Sequence, residues 1–138
     1  YRKAANYEEL LRQFGLWEKR GSFVNELSGG QKQRLFIVLA LLPDPKVVFL
    51  DELTTGLDTK ARRSVWKSLE ALKQKGLTIF LSSHFMDEVE ILCDTIGILK
   101  DGNFIFKGSV WEAVCQSPYD NLEEAYLWFT GEEETDDE

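Results

Sequence analysis

Four short groups of residues carry the side chains best suited to chemistry. They are a glycine-containing run at 27–31, an acidic pair at 51–52, an aspartate at 58 and the single histidine at 84. Carboxylates bind Mg²⁺ or accept a proton from water, and glycines at a helix start let an anion approach backbone N–H groups. Together these residue types suit the handling of phosphate groups.

The run 27–31, Leu-Ser-Gly-Gly-Gln, begins a predicted helix. Ser28 and Gln31 fit a capping box, in which each side chain bonds the backbone N–H of the other residue. Gly29 and Gly30 leave the first turn open, so its free N–H groups form a candidate anion site. The alternative is a capped core helix that happens to begin with two glycines.

Asp51 and Glu52 directly follow the apolar run 47–50, which reads as a buried strand. Open α/β sheets bind ligands at the carboxyl ends of their strands, where Asp51 can hold Mg²⁺ and Glu52 can polarise a water molecule. His84 closes the next predicted strand, so we expect it to meet Glu52 over one sheet edge. The alternatives are solvated acids that end a strand and a structural or surface histidine.

Asp58 ends the loop Leu-Thr-Thr-Gly-Leu and precedes a helix. Taken alone, it is most simply the N-cap of that helix.

The remaining pattern predicts an α/β fold in which strands alternate with helices. The strand at 47–50 is apolar on both faces, which is typical of a parallel sheet covered on both sides. Asp101-Gly102 between two apolar runs predicts a hairpin, and Ser109 and Asp120 look like further helix starts. The predicted helices cover 6–15, 28–42, 58–75 and 85–93, and the predicted strands cover 47–50, 77–82, 95–99 and 104–107.

Composition excludes several classes of protein. The chain has 138 residues with 43% hydrophobic residues, which is enough to bury a core, and its longest apolar run, at 35–42, is too short to span a membrane. Net charge is −8, from 24 acids against 16 bases, and no basic cluster favours nucleic acid. Cys93 and Cys115 lack metal or redox spacing, so we expect reduced, buried thiols in a cytosolic protein.

The four groups, in this order and spacing, resemble the ATP-binding-cassette (ABC) ATPase family. Residues 27–31 match its signature motif, 47–52 its Walker B strand and catalytic glutamate, 57–58 its D-loop, and His84 its switch histidine. The resemblance extends from about Tyr7 to about Gly108. It implies a partial sheet of the P-loop NTPase type. The stretch 82–94 resembles the export-type branch of the family.

The resemblance also implies a role for each residue. Asp51 would bind Mg²⁺, Glu52 would be the general base and His84 would contact the γ-phosphate of ATP. Asp58 would couple two sites across a head-to-tail dimer with a second nucleotide-binding domain. The signature residues would close on ATP held by the opposite subunit; they are Ser28, Gly29, Gly30 and Gln31.

The chain departs from the family pattern in two places. Leu53 stands where the family usually has proline, which removes a backbone restraint from the loop. The phosphate-binding loop G-x-x-x-x-G-K-[ST], which the family carries upstream of the signature, is absent from the sequence. We therefore expect the C-terminal part of a nucleotide-binding domain that alone neither binds ATP tightly nor hydrolyses it.

The resemblance divides the chain into four segments. Residues 1–44 form the helical signature subdomain, 45–108 part of the ATPase core, 109–130 C-terminal helices and 131–138 an acidic, disordered tail. The whole protein is expected at the cytoplasmic face of the cell membrane, bound to a separate transmembrane permease and powering transport, with export favoured. The alternatives are a soluble ABC ATPase that does not transport and a non-catalytic half-cassette that lends its signature motif to a partner.

Overall fold

Helices and strands follow one another along the chain in the predicted order. A computed structural model describes residues 6–132. Two single turns of 3₁₀-helix, Trp17–Lys19 and Val24–Glu26, precede the signature run. The main elements are α1 (Tyr7–Gln13), α2 (Gly29–Leu41), β1 (Val47–Asp51), α3 (Thr59–Gln74), β2 (Thr78–Ser82), α4 (Met86–Leu92), β3 (Ile96–Lys100), β4 (Asn103–Gly108), α5 (Val110–Gln116) and α6 (Leu122–Thr130).

The chain folds into two compact units, Tyr1–His84 and Phe85–Glu138. The boundary between the units falls within the predicted segment 45–108, and the four segments expected from the sequence stay a prediction. All the candidate site residues lie in the first unit. Most of the predicted acidic tail, residues 133–138, lies outside the described residues.

The first unit contains a parallel pair of strands. β1 and β2 run side by side in register from Val47 opposite Thr78 to Asp51 opposite Ser82. Because the strands are parallel and in register, their carboxyl ends reach the same edge of the sheet. This confirms the predicted parallel α/β arrangement, and it brings the residues after Asp51 and Ser82 together.

One face of this sheet is covered and the other is exposed. Val48 and Leu50 are buried, but Phe49 is 74% exposed and its neighbour Phe80 is 62% exposed. The two rings lie with their centroids 5.3 Å apart. The prediction that β1 is covered on both faces is therefore wrong for residues 6–132, since these residues supply a covering layer on one side only.

The core of the first unit joins the helices to the covered sheet face. Helix α2 contacts both α1 and β1. In α2, Ile37, Val38 and Leu41 are buried, whereas Phe36 and Leu39 are 59% and 52% exposed. Helix α3 adds a second buried stripe. The buried apolar residues of this unit include Leu10, Phe14, Leu27, Ile37, Val38, Leu41, Val48, Leu50, Leu53, Val65, Trp66 and Leu69.

The second unit is built on the predicted hairpin. β3 and β4 pair antiparallel, and Asp101 and Gly102 take φ values of 49° and 77°, as a two-residue hairpin turn requires. Helices α4, α5 and α6 pack on this hairpin around a core of Ile96, Ile98, Phe106, Ala113 and Leu122. No helix in the described part of the chain is long and apolar enough to cross a membrane.

Two smaller predictions in this unit are wrong. Helix α6 is capped by Asn121, whose side chain accepts the Glu124 N–H at 2.9 Å, so the cap lies one residue after the predicted cap Asp120. The amide oxygen of asparagine caps as well as a carboxylate does, so composition did not distinguish the two neighbours. Neither Cys93 nor Cys115 forms a disulfide, but the expected burial is wrong, because Cys93 is only half-buried and Cys115 is exposed.

Candidate functional site

The signature run forms the capping box predicted at the start of α2. The Ser28 hydroxyl oxygen accepts the Gln31 N–H at 3.2 Å, and the Gln31 side-chain oxygen accepts the Ser28 N–H at 2.9 Å. The backbone N–H of Gln31 therefore already has an acceptor, whereas the backbone N–H groups of Gly29 and Gly30 have no acceptor within the helix. The anion-binding capacity of this turn thus rests on the two glycines and the Ser28 hydroxyl hydrogen.

Glu52 leaves β1 through an unusual backbone conformation. Its φ is 46°, in the left-handed region that glutamate rarely adopts. Its N–H nevertheless donates to the Ser82 carbonyl at 2.8 Å, which extends the strand pairing by one residue. The two following residues are anchored inside the protein, with Leu53 2% and Thr54 0% exposed. The chain thus turns sharply here and leaves the Glu52 carboxylate outside.

Glu52 and His84 meet at the edge where both strands end. Glu52 Oε1 lies 3.5 Å from His84 Nδ1, and the two side chains are 57% and 58% exposed. The predicted meeting of these residues over one sheet edge is therefore present in the structure. A carboxylate and an imidazole side by side on an open edge can accept and donate protons, and an incoming anion can reach both.

Asp51 and Asp58 take different positions around this edge. Asp51 is the last residue of β1 and its side chain is exposed. Asp58 caps α3, since its Oδ1 accepts the Ala61 N–H at 2.8 Å. Asp58 therefore takes the simple capping role in the structure, and its side chain is exposed.

Asp51 is the residue in this group that suits a magnesium ion. The described residues contain no cluster of three or more His, Cys, Asp or Glu side chains that could hold a metal by themselves. Mg²⁺ commonly binds through only one or two carboxylates and completes its octahedron with waters and substrate phosphates. One exposed carboxylate at a strand end therefore fits Mg²⁺ that arrives with a nucleotide, and it does not fit a permanent protein-bound metal.

Two polar residues of α2 were missed from the sequence. The Gln33 side-chain N–H donates to the Leu53 carbonyl at 2.8 Å, and Arg34 Nη1 donates to the Phe14 carbonyl at 3.0 Å. Both side chains are partly buried, and their hydrogen bonds join segments within the first unit. The available signal was weak, consisting of polar side chains that interrupt the start of an otherwise apolar helix.

Comparison with known proteins decides the family. The family profile described as "ABC transporter" matches residues 2–55. A methionine import ATP-binding protein of Symbiobacterium thermophilum is 42% identical over 126 residues, which is 91% of this chain and 38% of that protein. The chain belongs to the ABC transporter ATPase family.

Further relatives and solved structures agree with this assignment. A Nod factor export ATP-binding protein I of Burkholderia orbicola is 45% identical over 100 residues, or 72% of this chain and 33% of that protein. A solved ATP-binding subunit of an ABC transporter superposes with a TM-score of 0.78 at 34% identity, covering 90% of this chain and 54% of that one. An ATP-binding cassette in its ADP conformation gives a TM-score of 0.71 at 27% identity, covering 88% and 48%.

The predicted fold class is thus confirmed as part of an ABC ATPase fold of the P-loop NTPase type. The chain spans about a third to a half of the length of these relatives, from 33% to 54%. The activity of these relatives is therefore the activity of chains about two to three times as long as the matched segment.

Proposed function

We propose that the chain is the C-terminal part of the nucleotide-binding domain of an ABC transporter, in which ATP hydrolysis drives transport across a membrane. The observation that supports this most strongly is the placement of Glu52 beside His84, with Oε1 and Nδ1 3.5 Å apart at one sheet edge. A general base needs to stand beside the group that binds the phosphate under attack. These two side chains satisfy that requirement in an open position.

Each residue of this edge takes one task in the proposed reaction. Glu52 accepts a proton from the attacking water, and His84 bonds to the γ-phosphate oxygens. Asp51 would hold Mg²⁺, which would supply charge neutralisation at the transferring phosphate group. Exposure of all three side chains is consistent with a site completed by other residues.

In the proposed dimer of nucleotide-binding domains, each domain supplies residues to the ATP site of the other. Ser28, Gly29, Gly30 and Gln31 present the start of α2 to the phosphates of ATP held by the second domain. Asp58 lies close to the same turn, because a Cβ atom added to Gly30 would stand 3.0 Å from the side chain of Leu57, its neighbour in sequence. A contact that the second domain makes with Asp58 would therefore also shift the position of the signature turn.

The proposed protein works at the cytoplasmic face of the membrane with a transmembrane permease. Export is the proposed direction, supported by the stretch 82–94 and by relatives named for Nod factor export. A relative named for methionine import is also similar. Net uptake of a labelled substrate by inverted membrane vesicles supplied with ATP is expected, and net loss would contradict export.

The 138-residue chain alone is proposed to lack ATPase activity. It contains no G-x-x-x-x-G-K-[ST] sequence to cradle the β- and γ-phosphates. A homodimer of this chain would not supply the missing loop, because both copies lack it. Turnover of ATP by the purified chain that depends on Glu52 would contradict this proposal.

The central experiment measures ATP turnover by the longer protein that carries this segment. Glu52→Gln is expected to lower kcat by about 10²–10⁴-fold with little change in KM, since the amide cannot accept the proton. His84→Ala should also lower kcat. Glu18→Gln is the matched control, because Glu18 is an exposed carboxylate outside the site. Equal turnover by the Glu52→Gln and Glu18→Gln variants would exclude Glu52 as the base.

A further inference from the structure

One side chain ties the signature helix to the loop that carries Glu52. Gln33 lies in the second turn of α2, and its Nε2–H donates to the Leu53 carbonyl oxygen at 2.8 Å. The two residues are 20 positions apart in the sequence, and the contact is partly buried. Leu53 directly follows Glu52, so this hydrogen bond acts one peptide unit away from the proposed general base.

A second contact joins the same two segments. Gly30 opens α2, and a Cβ atom built on it would stand 3.0 Å from Leu57 Cδ2. This distance is shorter than ordinary carbon–carbon contact, so the signature turn and the loop 52–58 pack as closely as glycine allows. A shift of α2 therefore has to move the loop, or lose both this contact and the Gln33 hydrogen bond.

The loop needs such external support because Glu52 is not in a relaxed conformation. Its φ of 46° is unfavourable for a residue with a Cβ atom and persists only where the surroundings impose it. The Ser82 carbonyl fixes the Glu52 N–H on one side, at 2.8 Å. Gln33 fixes the Leu53 carbonyl on the other side. The segment Glu52–Leu53 is thus held at both ends, at the Glu52 N–H by the sheet and at the Leu53 carbonyl by α2.

We propose that Gln33 is a positioning residue for Glu52: its hydrogen bond to Leu53 transmits the position of the signature helix to the carboxylate. The catalytic part of this inference rests on the proposed function. Gln33 is not proposed to contact the nucleotide. It sets where the Glu52 side chain stands, so that closure of the signature turn on ATP and alignment of the base are one movement.

Glutamine suits this task for a specific reason. The Leu53 carbonyl requires a donor, and the Gln33 amide supplies one without charge. Glutamate has the same length and shape but is acceptor-only when ionised, so Gln33→Glu removes the donor without removing volume. Leucine keeps much of the volume and removes the polar group. Two variants therefore remove the same hydrogen bond by different means.

The matched control is another glutamine in the same unit. Gln13 Nε2–H donates to the Ser68 carbonyl at 3.0 Å, joining α1 to α3 across 55 positions of sequence. This is the same type of side-chain to backbone bond, also partly buried, and its two partners lie in α1 and α3 and not in α2 or the loop 52–58. Gln13→Leu and Gln13→Glu report the general cost of losing such a bond.

The first experiment measures amide hydrogen exchange in the 138-residue chain. The Thr55 N–H donates to the Glu52 carbonyl at 3.2 Å and the Leu57 N–H to the Thr54 carbonyl at 3.1 Å, so both amides report on the loop. Both Gln33 variants should exchange these amides about tenfold faster, as expected for one lost hydrogen bond. Unchanged exchange, or equal acceleration by the Gln13 variants, would overturn the inference.

The second experiment separates positioning from a structural role in the longer protein. Both Gln33 variants should lower kcat about 10- to 100-fold while KM for ATP stays within about threefold, since misplacement of a base affects the chemical step. The Gln13 variants should leave kcat unchanged. A wild-type protein without Glu52-dependent turnover would refute the proposed function, and exchange alone would then decide whether Gln33 holds the loop.

Discussion

The backbone N–H of Glu52 donates to the carbonyl oxygen of Ser82 at 2.8 Å, one step beyond the last paired residues of β1 and β2. This bond keeps the two chains together while Glu52 turns into the left-handed region. The next residue but one after Ser82 is His84, so the same hydrogen bond that closes the ladder sets the distance between carboxylate and imidazole. Backbone pairing thus brings the candidate catalytic pair to the same edge of the sheet.

The left-handed backbone at Glu52 predicts an unusual order of stability among its variants. Glu52→Gln should change the free energy of unfolding little, and Glu52→Asn should be tolerated because asparagine adopts positive φ more readily. Glu52→Val should destabilise by about 1–2 kcal/mol, since a β-branched side chain crowds this conformation. Urea unfolding of the chain measures all three.

A valine control separates backbone strain from the chemistry of the side chain. Thr78 is exposed at the start of β2 and is part of the regular ladder. Thr78→Val should therefore be nearly neutral, because β-branched residues suit strands. If Glu52→Val proves as stable as Glu52→Gln, the left-handed conformation carries no strain that its neighbours need to support.

The capping box at Ser28 predicts that two roles of this residue can be separated. Ser28→Ala should cost about 1 kcal/mol of stability, because the first turn of α2 loses its cap. Ser28→Asp should keep the cap and the stability. In the longer protein, however, the aspartate would repel the phosphates of ATP and lower turnover, which steady-state kinetics would measure.

The second capping box supplies the control for this experiment. Ser109 caps α5 with the same geometry, its hydroxyl oxygen accepting the Glu112 N–H at 3.1 Å. Ser109→Asp should leave turnover unchanged. Normal turnover by Ser28→Asp would mean that the start of α2 does not meet phosphate, which would remove the signature run from the proposed site.

Ser109 also predicts how Glu112 responds to pH. Hydrogen bonds from the Ser109 backbone N–H and hydroxyl stabilise the ionised carboxylate and lower the pKa of Glu112. A lowered pKa in the folded state contributes stability above the unfolded pKa, and that stability is lost as pH falls through the folded pKa. Stability of the second unit should therefore decline on acidification through this window.

An NMR titration of the Glu112 carboxyl carbon tests the cause. Ser109→Ala removes the hydroxyl donor, so the midpoint should move upward, toward the ordinary glutamate value. Glu112→Gln should abolish this part of the pH dependence. A midpoint in Ser109→Ala equal to that of the wild-type protein would show that the serine hydroxyl does not stabilise the carboxylate.

Local features of this fold could be predicted from the sequence because local chemistry decides them. The caps at Ser28, Asp58 and Ser109 depend on residues within three positions, and all three are present. The hairpin turn at Asp101-Gly102 is set by its own two residues in the same way. The meeting of Glu52 with His84 followed from one non-local assumption, that the two strands are parallel neighbours.

The features that were missed depend on contacts between distant segments. Gln33 reaches Leu53 only because α2 packs beside the loop, and nothing in the spacing of α2 indicates this partner. Glu52 takes a left-handed backbone conformation directly after β1. No glycine at this position indicates such a turn in the sequence. The apolar run of β1 predicted two covered faces. An apolar strand sequence indicates that both faces suit burial, but it does not indicate which residues cover each face.

The exposed face of the first sheet predicts self-association of the 138-residue chain. Phe49 and Phe80 are 74% and 62% exposed and lie in contact on adjacent strands, beside the exposed Val47. Burying such an apolar pair between two molecules removes it from water and stabilises the contact. Sedimentation velocity over a range of concentrations should show association. Phe49→Thr with Phe80→Thr should weaken it, and threonine, a β-branched residue, still suits a strand.

Phe104 provides the comparison for this last experiment. It is 67% exposed on β4, so Phe104→Thr removes a similar ring from the second unit. If the sheet face of the first unit drives association, the Phe104 variant should sediment like the wild-type chain. Equal weakening by both substitutions would mean that association follows general apolar exposure, and a monomer at every concentration would mean that the Phe49–Phe80 pair is stable in contact with water.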